Sequence, residues 1–321
     1  MPIDSQVQQL LNEINKLMHD LNHPPLSQTS PEDARYYSKQ GRTLFSKVKI
    51  TDVNKEDILI PSSNFEILTR IYSPNGTGPF PVLIYLHGGG WIMGSIDGDD
   101  DVCSYISKLC ECVVVSVNYR LSPEHKYPVP LDDTMATINW VKSNIAFLNG
   151  NIERIAIGGE SAGGNLAAAA TIKAKDLGWP PLFCQLLICP VTHHSFDTDS
   201  YKNYKYNLSE EAMIRFWDWY LKSPNQGLEP YASPLLNKDF SSLPKALIVT
   251  AEFDPLRDEG EAYATLLEQA GVPVEKVRYA QLVHSFIHMT ERSELAKKAL
   301  YDILSRFKRI LHGSSVHLNI D

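Results

Sequence analysis

Apolar positions along the chain follow two alternating periods. Residues 4–22 carry Val7, Leu10, Leu11, Ile14, Leu17, Met18 and Leu21 on one stripe, the spacing of an amphipathic helix. A loop rich in proline and serine follows, and apolar runs near 47–52, 65–72 and 81–86 then read as strands. Beyond them the pattern predicts a strand at 112–118, a helix at 131–147, a strand at 153–158, a helix from about 162 and a strand at 184–189. Residues 190–242 break this rhythm with turn residues and one aromatic helical stretch, EEAMIRFWDWYL. The alternation resumes as strand 245–251, helix 257–271, strand 274–281 and helix 292–311. Strands alternating with helices imply an α/β protein: a mostly parallel sheet covered on both faces, with ligands bound beyond the carboxyl ends of the strands.

Composition narrows the function classes. With 321 residues, 43% of them apolar and 21% charged, the chain has the make-up of an ordinary globular protein. Its net charge of −8 is dispersed, and no run of lysine and arginine is long enough to track phosphates, so nucleic acid is not an expected partner. No apolar run approaches the length of a membrane span, and the start MPIDSQVQQL has neither a basic leader nor an apolar h-region; a cytoplasmic location is expected. Five cysteines, Cys103, Cys110, Cys112, Cys184 and Cys189, form an odd set without zinc-ribbon spacing and are expected to be buried, reduced thiols. The sequons at Asn75 and Asn207 carry little meaning without secretion.

The stretch ERIAIGGESAGGNLAAAA poses the first chemical question, because a strand-like run breaks into glycines and a serine before an alanine-rich helix begins. A dinucleotide fingerprint fails for want of the right glycine register. A phosphate loop fails because Asn165 and Leu166 stand where lysine and a hydroxyl are required. The nucleophile elbow, glycine-x-serine-x-glycine, is satisfied by Gly159, Glu160, Ser161, Ala162 and Gly163. In that device the serine sits on a strained turn that lifts its hydroxyl above the sheet, and small neighbours let strand and helix approach. A plain glycine-rich turn is the competing explanation.

A second stretch, FPVLIYLHGGGWIMGS, shifts the balance. A strand runs into His87, Gly88, Gly89, Gly90 and Trp91, roughly seventy residues ahead of the elbow. Consecutive glycines allow main-chain N–H groups to approach a substrate oxygen, the requirement for an oxyanion hole. The N–H of Ala162, at the positive end of its helix, would supply the other contribution. His87 reads as a brace for this loop rather than an acid or base.

An acid and a base are then expected after the serine, in that order, each at the carboxyl end of a strand. Asp254 follows the strand in KALIVTAEFDPLRDEG, and His284 follows the strand in VEKVRYAQLVHSF. Glu252 belongs to the strand itself and Asp258 to the following helix, which leaves Asp254 best placed. His193 and His194 fall in the interruption, and the pair His284 and His288 lacks the acidic partner of a zinc helix. The acidic run Asp97 to Asp101 misses the calcium-loop pattern, with Val102 where glycine belongs, and reads as a helix cap. Neither a metal nor a cofactor is expected.

Taken together, HGGGW, NYRLSPEHKYP, GESAGGNLA, DPLRDEGEAYA and a late HSF make the sequence resemble the hormone-sensitive-lipase-like group, the family IV esterases of the α/β-hydrolase superfamily. The similarity spans roughly residues 45 to 310. It implies an α/β-hydrolase fold with a helical cap: residues 1–45 as an N-terminal cap segment, 46–189 as the first part of the catalytic domain, 190–228 as a cap insertion and 229–321 as the second part. It implies Ser161 as nucleophile, Asp254 as orienting acid, His284 as general base, and Gly88, Gly89 and Ala162 as oxyanion donors. Glu160 departs from the commoner aspartate before the serine, which bears on local hydrogen bonding.

The expected activity is a serine carboxylesterase acting on short- to medium-chain acyl esters through an acyl-enzyme. An amidase or deacetylase on the same triad is the alternative, and a non-catalytic hydrolase-fold receptor is disfavoured by the presence of His284. The expected partner is a small-molecule ester, and a homodimer is allowed. Trp91, Phe216, Trp217, Trp219 and Tyr220 read as cap core more than as substrate lining. Tyr119, Arg120, Glu124 and His125 read as a structural turn network.

Overall fold

The computed structural model describes residues 1–25, 28–45, 50–62 and 65–313. Its centre is an eight-stranded sheet in the order β1-β2-β4-β3-β5-β6-β7-β8. The strands are β1 (Val53–Ser62), β2 (Phe65–Pro74), β3 (Phe80–Leu86), β4 (Val113–Val117), β5 (Gly150–Glu160), β6 (Cys184–Ile188), β7 (Lys245–Phe253) and β8 (Val274–Val283). The β1/β2 and β2/β4 pairs are antiparallel, and every pair from β4 through β8 is parallel. The helices are α1 (Ser5–Asp20), α2 (Pro31–Arg42), α3 (Asp100–Cys110), α4 (Val129–Ser143), α5 (Ala162–Asp176), α6 (Asp199–Asn203), α7 (Glu210–Tyr220), α8 (Arg257–Gln269) and α9 (Glu294–His312).

The apolar runs of the central strands feed two cores, one on each face. Val82, Ile84 and Leu86 of β3 join α4, α5 and α8 on one side. Leu83 and Tyr85 turn to the other side, where α1, α3 and α9 cover them. A strand buried on both faces needs no polar alternation, which is why VVVSV of β4 is almost uniformly apolar. The alanines of α5 are buried around most of the helix, so small side chains let it lie close against β5 and β6.

The structure corrects three expectations at the start of the chain. Residues 47–49 of the strand expected at 47–52 lie outside the described residues, residues 50–52 are not strand, and the first strand is β1. Most of β1 is exposed, and its side chains show no clean alternation because main-chain pairing to β2 holds it. The proline- and serine-rich stretch also contains a helix, α2. Ser30 caps it by accepting from Asp33 N–H, Pro31 opens it, and Glu32 and Asp33 face its positive end. In the acidic run, Asp100 and Asp101 do occupy the first turn of α3, but Asp99 makes no cap bond. It is buried and accepts instead from Tyr85 Oη at 3.2 Å and Arg42 Nη1 at 3.4 Å. Among the described residues, no helix is long and apolar enough to cross a membrane.

Helix α2 grips the segment that follows β3. Arg35 Nε donates to the Ile92 carbonyl at 2.9 Å, Nη2 donates to the Ser122 carbonyl at 2.9 Å, and its fork meets Glu124 at 2.8 and 2.6 Å. Ser122 N–H in turn donates to the Trp91 carbonyl at 2.9 Å. One planar cation thus ties α2 to two loops that have no covalent reason to stay together. Replacing Arg35 by alanine is expected to lower the unfolding free energy in urea by roughly 1–3 kcal/mol, with Arg35→Lys recovering only part. An alanine variant as stable as the wild type would remove Arg35 from the forces that hold α2.

Candidate active site

Strand β5 ends at Glu160 and α5 begins at Ala162, so Ser161 alone makes the turn, at φ 56° and ψ −117°. A side chain at positive φ is strained there. The turn is held because Ser161 N–H donates to the Ile188 carbonyl at 2.9 Å, and its own carbonyl accepts from Asn165 N–H at 3.0 Å and Val191 N–H at 3.2 Å. The flanking glycines answer a close approach: a Cβ on Gly159 or Gly163 would collide with the Leu86 carbonyl at the end of β3.

Three side chains meet above the strand ends. Asp254 follows β7 and His284 follows β8. His284 Nδ1 lies 2.8 Å from Asp254 Oδ2, and His284 Nε2 lies 3.0 Å from Ser161 Oγ. The second Asp254 oxygen accepts from Leu256 N–H at 2.9 Å, which fixes the carboxylate plane. Asp254 is fully buried, whereas Ser161 and His284 each keep 5% of their surface, so this line of groups has one accessible end. The competing acids are engaged elsewhere. Glu252 pairs with Arg257 at 2.9 Å and Arg278 at 3.4 Å, and Asp258 takes Ser200 N–H at 2.8 Å and Arg257 Nε at 2.9 Å.

The glycine loop lies beside this line. Gly89 has φ 117° and Gly90 φ 60°, the region glycine tolerates and other residues avoid. A Cβ on Gly89 would strike the Met93 carbonyl, and one on Gly88 would strike the Glu160 carboxylate. The main-chain N–H groups of Gly88, Gly89 and Ala162 meet no acceptor among the described residues. His87 is fully buried, stacks on Tyr119 with centroids 4.2 Å apart, and sets Nδ1 2.8 Å from the Gly88 carbonyl. Tyr119 Oη donates to the His87 carbonyl at 2.8 Å. Burial holds His87 below the ordinary imidazole value, which suits a neutral brace.

The turn network has structural partners. Arg120 forks onto Asp133 at 2.6 to 3.1 Å, and Glu124 pairs with Arg35. The aromatic stretch of α7 packs on the glycine loop. Trp91 stacks on Tyr220 with centroids 4.1 Å apart and planes 2° from parallel, while Phe216 stands so close that a Cβ on Gly90 would meet its ring at 2.6 Å.

Several participants make contacts that no motif spells out. Asn207, which the sequence offers only as part of a sequon, donates from Nδ2 to the His284 carbonyl at 3.0 Å. Ser285 Oγ donates to Glu160 Oε1 at 2.6 Å. Glu259, buried in α8, accepts Thr192 N–H at 2.6 Å and His193 N–H at 3.2 Å; burial outweighs these bonds and pushes its carboxyl up to about 8. Glu160, Glu259 and Ser285 lie within GESAGGNLA, DPLRDEGEAYA and HSF, but those motifs do not spell out the partners the fold gives them.

Among the described residues one set of metal-donor side chains converges: Cys189, Asp254 and His284, with donor atoms within 4.8 Å of one another. Asp254 and His284 are already hydrogen-bonded to each other. Burial pushes the Cys189 thiol well above its ordinary value, away from the thiolate that metals bind. The arrangement is better suited to moving a proton along the line from Ser161.

Comparison with known proteins agrees with this geometry. The family described as the alpha/beta hydrolase fold matches residues 83–288. The carboxylesterase NlhH of Mycobacterium tuberculosis is 39% identical over 254 residues, covering 77% of this chain and 80% of that protein. An arylesterase of Saccharolobus solfataricus is 37% identical over 237 residues, 72% of this chain and 76% of its own. The solved structure of a hyperthermophilic esterase from Pyrobaculum calidifontis superposes with a TM-score of 0.87 at 34% identity, covering 97% of this chain and 99% of that one. Fold and site define a hydrolase of the α/β class. The chain belongs to the α/β-hydrolase family, in its hormone-sensitive-lipase-like branch.

Burial opposes charging the His284 ring and is the largest single influence, but the charge and hydrogen bond of Asp254 together with the Glu160 and Glu259 carboxylates outweigh it and raise the ring above the ordinary 6.5. The imidazole is therefore expected to titrate above pH 6.5, followed by NMR of labelled histidine. Asp254→Asn removes the charge and keeps the burial, so it should move that titration downward. An unmoved titration in the variant would contradict the role assigned to the Asp254 charge.

Proposed function

We propose that this site hydrolyses short- to medium-chain acyl esters, with Ser161 as nucleophile, His284 as general base and Asp254 as the acid that orients it. The protein is a serine ester hydrolase, and the observation that carries the reading is the hydrogen-bonded line from Asp254 through His284 to Ser161, at 2.8 and 3.0 Å.

A serine hydroxyl is a weak nucleophile at neutral pH, so His284 Nε2 takes its proton as Oγ attacks the ester carbonyl. Asp254 holds Nδ1 in the protonated tautomer, which leaves Nε2 free to accept. The carbonyl oxygen gains negative charge, and the unpaired N–H groups of Gly88, Gly89 and Ala162 are the donors assigned to it, aided by the positive end of α5. His284 then returns the proton to the leaving alcohol, and an acyl-Ser161 ester remains. Water repeats the sequence in reverse and frees the acid.

In this reading residues 1–45 and 190–228 are cap segments over a body made of 46–189 and 229–321. Support comes from Asn207 holding the His284 carbonyl and from Arg215 reaching the Thr29 carbonyl at 3.5 Å, which links the two segments. The carboxylesterase, arylesterase and esterase names of the relatives support ester rather than amide chemistry. A reducing compartment such as the cytoplasm suits five cysteines that are all buried and unbridged.

A panel of p-nitrophenyl esters of increasing acyl length, run beside anilide analogues, tests the assignment. Short esters are expected to turn over fastest, and Ser161→Ala to lower kcat by about 10⁴-fold or more. A fully active alanine variant would overturn the reading, and anilide turnover equal to ester turnover would favour an amidase. A chelator is expected to leave the rate unchanged.

A further inference from the structure

Glu160 occupies the last position of β5, beside Ser161, and is 1% exposed. A carboxylate taken out of water requires a cation or several donors. Among the described residues its one ion-pair partner is His284, whose Nε2 lies 3.8 Å from Oε1. The same oxygen accepts the Ser285 hydroxyl at 2.6 Å. The other oxygen faces Gly88, where a Cβ would overlap it. Glu160 thus touches the base, the residue that follows the base and a glycine of the candidate oxyanion loop. Both nitrogens of His284 face a carboxylate: Asp254 at Nδ1 and Glu160 near Nε2.

We infer that Glu160 is a positioning residue for His284, clamped by Ser285, and that its charge stabilises the imidazolium formed when Ser161 gives up its proton. The inference rests on the serine-hydrolase reading of the site. The proton moves from Ser161 Oγ to Nε2, and the positive charge it creates sits between two carboxylates in a site where little water screens them. A glutamate is one methylene longer than an aspartate, which lets one oxygen reach Ser285 while the other lies against Gly88. Ser285 has φ 62°, a conformation that presents its hydroxyl to Glu160 directly after the base.

Of the other titratable groups around this pair, four are held uncharged by burial. Burial raises Cys189, Tyr85 and Tyr119 well above their ordinary values and lowers His87. Glu259, which also faces His284, is pushed up to about 8 by burial. The charges of Asp254 and Glu160 act on the ring most directly, and Glu259 adds to them when it is ionised.

The test compares pH profiles of kcat/KM and kcat for wild type, Glu160→Gln, Glu160→Asp and Ser285→Gly, with fluorophosphonate labelling mapped to a residue. Glu160→Gln keeps an acceptor for Ser285 but removes the charge. It is expected to lower kcat on the order of tenfold with KM little changed, and to move the acid limb down by about one pH unit. Glu160→Asp restores the charge and should return the limb toward wild type. Ser285→Gly relieves the positive φ, breaks the clamp and should lower kcat severalfold with a smaller shift of the limb. An acid limb that stays in place in Glu160→Gln overturns the inference, whatever happens to kcat. Labelling separates this from a failure of the site reading: a probe that reacts elsewhere than Ser161 in the wild type refutes the site itself, while labelling at Ser161 with an unmoved limb refutes only the part given to Glu160.

Discussion

The hydrogen-bonded line through His284 is the constraint to which the rest of the structure answers. It joins residues 30 and 123 positions apart in the chain, at separations of 2.8 and 3.0 Å. A line of that length tolerates little misplacement, since a shift of an ångström breaks a hydrogen bond. Parallel strands supply the rigidity: β5, β6, β7 and β8 are neighbours in register, so their carboxyl ends form one fixed edge. The strained turn at Ser161 and the glycines around it are consequences, because only a backbone that passes very near Leu86 can bring the hydroxyl to that edge.

Burial sharpens the electrostatics of the same site. A carboxylate or imidazole held away from water responds strongly to each neighbouring charge, since screening is weak there. The neighbours are accordingly sorted by environment. His87 is held neutral by burial while His284, also buried, is raised because Asp254 and other carboxylates, Glu160 among them, adjoin it. Glu259 and Cys189 are driven toward their uncharged forms, so acidic side chains packed within a small volume do not all repel one another.

Long contacts tie the surrounding helices to this centre. Arg35 and Arg42, about two turns apart on α2, hold the Ile92 carbonyl and the Gly98 carbonyl, the latter at 2.9 Å, so both ends of the segment after the glycine loop are fastened to one helix. Asn207 reaches the loop of His284 from a different segment. The glycine loop therefore has its conformation set from several directions, which suits main-chain donors that must stay fixed while charge develops on a substrate.

Much of the architecture is legible in the residues alone. Central strands announce themselves because burial on both faces demands unbroken apolar runs; Ser161 and Asp254 stand out because each follows such a run, and His284 because it follows the alternating strand β8. The edge strand β1 does not, since its exposed side chains include Lys55, Glu56 and Asp57 and it is held largely by main-chain pairing to β2 and by ion pairs to Asp100 and Arg70. Helix α2 hid behind its proline and serine, although Ser30, Pro31 and Asp33 spell a cap. The contacts of Glu160 with His284 and Ser285, of Arg35 with Ile92, and of Asp99 with Tyr85 were decided only by tertiary structure. Periodicity records which side chains share a face of their own helix or strand. It holds no record of the distance between two elements, and a polar side chain takes its role from whatever the fold sets within about 3 Å of it.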